Sequence, residues 1–279
     1  MHRRESHSDP GPLDRVHNKR AVKLPRALAR PSFSEPSPEV IAIVSPDLAD
    51  IPIPYIKQEL RNQAGPMLAG LRAVSHVPRT LNIAFLPQSF QIPESSPPTA
   101  SLPTHVIAAR SSKAPSQSVC LYPVHDVALL VHFSGLRLPP RYPGADGSVA
   151  RAMPVLEVAL PSPEAFAVIH SFLYNHRIEG MMRALLPLSE STLQNLTTSR
   201  AILATRQSRA VVDQMGSQIA QRAYWDVEKI MKIAMLVKSV WQNMAALRIS
   251  IMEMWDTLDL AWDILLAALQ QAASAPLRR

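Results

Sequence analysis

A cysteine, an aspartate and four histidines, residue types that can build a reactive centre, lie between residues 120 and 176: Cys120, His125, Asp126, His132, His170 and His176. On a continuous helix, His125-Asp126 and His132 would set two imidazoles on one face beside a carboxylate, the start of a metal-dependent hydrolase. Such a centre needs further ligands from other elements, and only His170 and His176 stand as candidates. Cys120 with His125 makes a second pairing, nucleophile and base, but a reactive thiolate needs an electropositive, accessible setting that V-C-L-Y does not supply. F-S-G-L at 133–136 lacks the flanking glycine of a nucleophile elbow. No G-x-x-x-x-G-K-[ST], G-x-G-x-x-G or H-E-x-x-H occurs, and eight glycines leave little material for a phosphate-cradling loop. Histidines hydrogen-bonded within the fold are the simpler reading, with a metal-dependent hydrolase as the alternative. No enzyme activity, cofactor or small-molecule substrate is expected.

The elements that must position these residues are two strand-like runs, each feeding an apolar helix, from Val119 to Arg177. Thr104–Arg110 and Val119–Tyr122 read as an antiparallel pair joined by S-S-K-A-P-S-Q-S. After Pro123, Val127, Leu130, Val131 and Ser134 line one helical face, and Gly135 marks its end. Pro154–Leu160 alternates as a strand, and S-P-E-A-F starts the next helix with Ser162 as N-cap; Phe166, Ile169, His170 and Leu173 form its buried stripe. Upstream, the β-branched run Val40–Val44 predicts a strand, residues 51–74 two short helices broken at Gly65-Pro66, and 80–87 a strand ending at proline.

Composition divides the chain. Of 26 prolines, 17 precede residue 116, and none lies between Leu188 and Ala275. The expectation is an α+β fold: a disordered basic tail over 1–38, a small mixed α/β domain over 39–188 with a Ser/Pro-rich loop near 88–103, a helical region over 189–273, and a tail over 274–279. Residues 1–34 hold eight Lys/Arg against three Asp/Glu, so the formal charge of +7 belongs mostly to the tail. Its residues Lys19, Arg20, Lys23 and Arg26 suit nuclear targeting, with a cytoplasmic location as the alternative. The rest is nearly neutral, so direct nucleic-acid binding is not expected. One cysteine rules out an internal disulfide and fits a reducing compartment. The N-terminus lacks a signal-peptide core and charges interrupt every long apolar run, so a soluble intracellular protein without a membrane span is expected.

In the helical region the apolar residues step by four and three: Ile230, Ala234, Val237, Trp241, Met244, then Ile251, Trp255, Leu258, Trp262, Leu265 and Leu269. Trp241, Trp255 and Trp262 share a heptad position. They read either as a helical core or as a partner or self-association surface. A helical break is needed for compactness, with Gly216 first in line, then Asn243 or Arg248–Ser250.

The ordered set P-T-H-V-I-A-A-R (103–110), L-Y-P-V-H-D-V-A-L-L-V-H (121–132), L-R-L-P-P (136–140), M-P-V-L-E-V-A-L-P-S-P-E-A-F (153–166) and S-F-L-Y-N-H-R (171–177) resembles the clampless-type developmental regulators of basidiomycete fungi. I-P-I-P-Y-I-K-Q-E-L with G-P-M-L-A-G-L (51–71) is similar to that family's start, and the likeness covers about residues 45–190. It implies a non-enzymatic protein-interaction regulator of sexual development, acting in clamp-connection formation downstream of mating-type homeodomain control. Transcription factors of that pathway are the implied partners. A second likeness, to BTB/POZ-type interaction domains, rests on His125, Phe166, Phe172, Leu173 and Tyr174 and offers a fold hint.

Overall fold

Prolines in the first half start helices rather than merely breaking them. A computed structural model describes residues 24–32, 36–93, 97–139 and 152–275. Pro38 occupies the first turn of α1 (Pro38–Val44), where its missing N–H costs nothing and its φ suits the helix, and Glu39 joins it near the positive end of the dipole. The strand expected at 40–44 is therefore this helix, with Ile41 buried. Pro54 likewise sits in the first turn of α2 (Ile53–Asn62), and α3 (Ala64–Ala73) follows after a break at Gln63 rather than at Gly65-Pro66.

Among the described residues, five strands form one sheet in the order β1-β4-β3-β5-β2. They are β1 (Thr80–Asn82), β2 (Ser89–Gln91), β3 (His105–Ser111), β4 (Ser118–Val124) and β5 (Ala152–Leu160). The β3–β4 pair is antiparallel, as its sequence predicts, while β3 and β5 run parallel. The stretch 80–87 supplies only the short β1 before a 3-10 turn, and the expected loop near 88–103 contains β2, which pairs with β5. In β3 the side chains alternate between two buried faces: Val106 and Ala108 join Val74 and Met153, whereas Ile107 and Ala109 face the main core. That double burial explains an apolar run without alternation.

The helices on the main-core side are α4 (Asp126–Leu130), α5 (Phe166–Asn175), α6 (Ile178–Leu185), α7 (Glu190–Gln194), α8 (Ser199–Gln207), α9 (Arg209–Arg222), α10 (Val227–Ala246) and α11 (Met252–Ser274). The described chain is thus α+β, with helix predominating. Ser162 does not cap α5, which begins at Phe166; instead its backbone N–H and C=O are both held by the buried Asn243 side chain of α10. One core runs from β3 and β4 through α5 and α6 into α9, α10 and α11, so burial does not divide at Leu188.

α11 is the hub. It is buried nearly all round, including Trp255, Leu258, Ala261, Trp262, Leu265 and Ala268, the pattern of a central helix rather than a surface one. Gly216 is not a break: it lies inside α9, where an added Cβ would come within 2.8 Å of Ala267 Cβ and 2.9 Å of the Ala268 amide nitrogen on α11. The helical region is broken at 195–198, at Ser208, at Tyr224-Trp225 and at Arg248; Tyr224, Trp225 and Arg248 have positive φ, and Asp226 caps α10 by accepting from the Glu228 and Lys229 amides. The expected interruption at Arg248–Ser250 is therefore present.

Part of the expected disordered tail is also built into the fold. Residues 24–32 cross α10 and α11, with Leu28 buried and Arg30 paired to Asp256 and Asp259. Arg26 is exposed on this strap. Lys19, Arg20 and Lys23 lie outside the described residues, as do 276–279.

Candidate functional site

Of the predicted reactive residues, His125 and Asp126 sit where β3 begins and β4 ends, because the antiparallel register sets His105 opposite Val124 and α4 starts immediately after His125. Thr104 ties the corner together. Its amide donates to the Val124 carbonyl at 2.9 Å, and its Oγ1 accepts from the Asp126 amide at 2.8 Å. Oγ1 also lies 2.9 Å from His105 Nδ1, while His105 Nε2 lies 2.9 Å from the Pro139 carbonyl. Asp126 is buried, with Oδ1 accepting from the Val127 amide at 2.7 Å and Oδ2 at 3.9 Å from His105 Nδ1.

His125 is equally committed. Its Nδ1 lies 3.1 Å from the Tyr174 hydroxyl and its Nε2 3.0 Å from the Ser101 carbonyl. His170 Nε2 donates to the Pro123 carbonyl at 2.8 Å, and burial pushes its pKa down, keeping the ring neutral. Tyr122, Phe166, His170, Tyr174 and His125 form a row of tilted and edge-on ring contacts, with centroids 4.9–6.3 Å apart. Edge-to-face packing of this kind stabilises by about 0.5–1.5 kcal/mol per aromatic pair beyond burial. Cys120 sits on β4, buried, and desolvation with the Glu164 charge pushes its thiol up, away from the thiolate a nucleophile needs.

The structure separates the two imidazoles that a longer helix would have aligned. α4 ends at Leu130, so His132 lies past its C-cap and faces His176 instead, ring centroids 6.1 Å apart. Among the described residues no three His, Cys, Asp or Glu side chains come close enough to hold a metal ion, so the hydrolase alternative gains no geometric support.

His132 carries a consequence for stability. It is buried, its Nδ1 has no hydrogen-bond partner, and burial together with Lys57, His176 and Arg61 lowers its pKa from 6.5 to about 3. Burial and Arg61 push His176 down as well. Between those limits the unfolded chain binds the proton and the folded chain does not, so stability is full above pH 6.5 and lost as pH falls toward 3. His132→Leu should flatten this acid limb in denaturation curves recorded against pH; an unchanged limb would clear His132 of the role.

One wall of this corner is open. His125, Asp126, Val127, Ser101, Leu102 and Thr104 line a cleft of about 640 Å³, closed on the other side by α2 and α3 through Tyr55, Ile56, Glu59, Leu60, Gln63 and Met67. Its lining is mainly apolar, and Tyr55 at its mouth is 72% exposed beside the exposed Ile51. Val40 and Ile43 on α1 are exposed as well. Sequence reading missed the cleft: α2 shows its apolar face in the pattern of Ile56 and Leu60, but the opposing Ser101–Thr104 wall arrives from an irregular stretch without periodicity. Gly70 holds that wall close, since a Cβ there would overlap the Ser101 carbonyl oxygen at 1.6 Å.

The tryptophans are placed as follows. Trp255 and Trp262 are buried in the main core, and Trp241 is half-buried against it. Among the described residues no helix is long and apolar enough to cross a membrane.

Comparison with known proteins adds the family. No curated protein and no solved structure matches, so the BTB/POZ likeness gains no support. Residues 31–161 match the family model described as the Clampless protein 1 N-terminal domain, and residues 179–279 match that of the Clampless protein 1 C-terminal domain. The likeness therefore extends well past residue 190, through the helical region that carries the tryptophans. The two matches together span most of the chain, which belongs to the clampless protein family.

Proposed function

We propose that this protein is a non-enzymatic, protein-interaction regulator of fungal sexual development, acting in the nucleus in clamp-connection formation downstream of mating-type homeodomain control. Family membership supports the developmental role. The observation that carries the interaction mechanism is the cleft between α2–α3 and the β4–α4 corner: apolar, open, and rimmed by the exposed Tyr55. His125 and Asp126 on its wall are spent on backbone and hydroxyl hydrogen bonds, which makes them supports for its shape. A transcription factor of the mating pathway is the kind of partner this reading assigns.

The test uses Tyr55→Asp, which introduces a charge at an exposed position and so spares the core. In a clamp-forming basidiomycete lacking its own copy, the wild-type chain should restore clamp connections. The variant, at equal protein level, should fail and should lose a protein captured by the wild type. Normal clamps with Tyr55→Asp would remove the cleft from the mechanism, and normal clamps without any copy would remove the developmental role.

A further inference from the structure

The strap over 24–32 is held as proteins hold peptide ligands. Trp262 Nε1 donates to the Pro25 carbonyl at 3.0 Å and Trp241 Nε1 to the Ala29 carbonyl at 2.8 Å, two indoles catching the main chain four residues apart. Leu28 between them is buried, and Leu24 packs on the same core. Arg30 then forks over α11: Nε and Nη2 reach Asp259 Oδ2 at 3.1 and 2.6 Å, and Nη2 reaches Asp256 Oδ1 at 2.7 Å. Arg206 holds the acidic row in place from the other side, through Asp259 at 2.8 Å and Asp263 at 2.8 Å. Main-chain capture gives sequence-tolerant affinity, and a guanidinium fork on carboxylates gives selectivity for arginine.

A second observation separates groove from occupant. Trp241, Asp256, Asp259 and Trp262 all belong to the stretch matching the family's C-terminal domain. Pro25, Leu28, Ala29 and Arg30 precede residue 31, where the match to the N-terminal domain begins. The groove thus lies inside a family-matched stretch, and the segment filling it lies just ahead of the other. Nothing in the contacts requires the occupant to belong to the same chain.

We infer that the α10–α11 groove is a docking site for an extended peptide of a partner protein, with a leucine for the Leu28 position and an arginine two residues later for the acidic row. The strap is the chain's own resident, which that peptide displaces. This surface shares no residue with the cleft above, and the inference stands whether or not that reading does. A tethered strap competes at an effective concentration of about millimolar, so a free peptide gains access mainly when the strap is weakened.

The experiment adds a fluorescein-labelled peptide of the strap sequence, L-P-R-A-L-A-R-P-S, to the full-length chain and to its Arg30→Ala variant, and reads anisotropy. Arg30→Ala should raise the apparent affinity by about tenfold or more, because the released groove meets an intact ligand. A peptide lacking the second arginine should not bind, and adding Trp241→Phe or Asp259→Asn to the Arg30→Ala chain should weaken binding of the intact peptide. Equal weak binding to both chains, or no dependence on the peptide's arginine, would overturn the proposal. So would an Arg30→Ala chain that no longer folds, since the strap would then be part of the core. Sedimentation supplies the remaining arm: a wild-type dimer that Arg30→Ala dissociates would assign the groove to a second copy's strap.

Discussion

Trp255→Ala is expected to lower the unfolding free energy by about 3–5 kcal/mol, the range of large-to-small changes at well-packed core positions. The indole is fully buried, and its Nε1 donates to the Ile249 carbonyl at 2.9 Å. Ile249 in turn bridges Phe133, so the same contact links α11, the α10–α11 break and the end of the α4 segment. Truncation opens a cavity and removes a hydrogen bond at once. Urea denaturation of the variant measures the loss. If the melting behaviour were unchanged and a wild-type dimer disappeared, the indole would belong to a self-association face instead.

What could be read beforehand followed from local periodicity. The β3–β4 pair, β5 and the long helical seam each carry their pattern in consecutive residues, and the structure contains all of them. The misses share a physical cause: the deciding partner is far away in sequence. Val40–Val44 looks like a strand by side-chain type, yet Pro38 and packing of Ile41 against Leu130 and Val131 make it helical. Gly216 looks like a breaker until Ala267 is seen against it. Pro25–Arg30 looks like solvated tail until Trp262, Trp241 and Asp259, more than 200 positions on, are found to hold it. The corner around His125 shows the same limit. Its residue types were legible, but α4 ends at Leu130, two residues short of His132, and no spacing rule would have paired His132 with His176.

Asn243 carries the second large effect. It is fully buried in α10, a position where an asparagine has no helical merit of its own. Its Oδ1 accepts from the Ser162 amide at 3.0 Å and its Nδ2 donates to the Ser162 carbonyl at 2.6 Å. Ser162 lies in the interval between the two family-matched stretches, so one side chain fastens the β5–α5 turn to the C-terminal helices. Asn243→Ala leaves the amide and the carbonyl of the half-buried Ser162 without this partner; at about 1–3 kcal/mol per orphaned group, a loss of about 2–6 kcal/mol is expected. Asn243→Asp is the sharper probe. It keeps the shape and the acceptor, but at neutral pH the carboxylate has nothing to donate and its charge faces the Ser162 carbonyl. Protonation restores a donor. Measured against wild type at each pH, the deficit of Asn243→Asp should therefore shrink as pH falls from neutral into the range where the buried carboxyl takes up its proton. The Asn243→Ala deficit, lacking a titratable group, should stay nearly constant over the same range. Parallel deficits for the two variants, or full stability of Asn243→Asp at neutral pH, would show that the amide does not join the two halves.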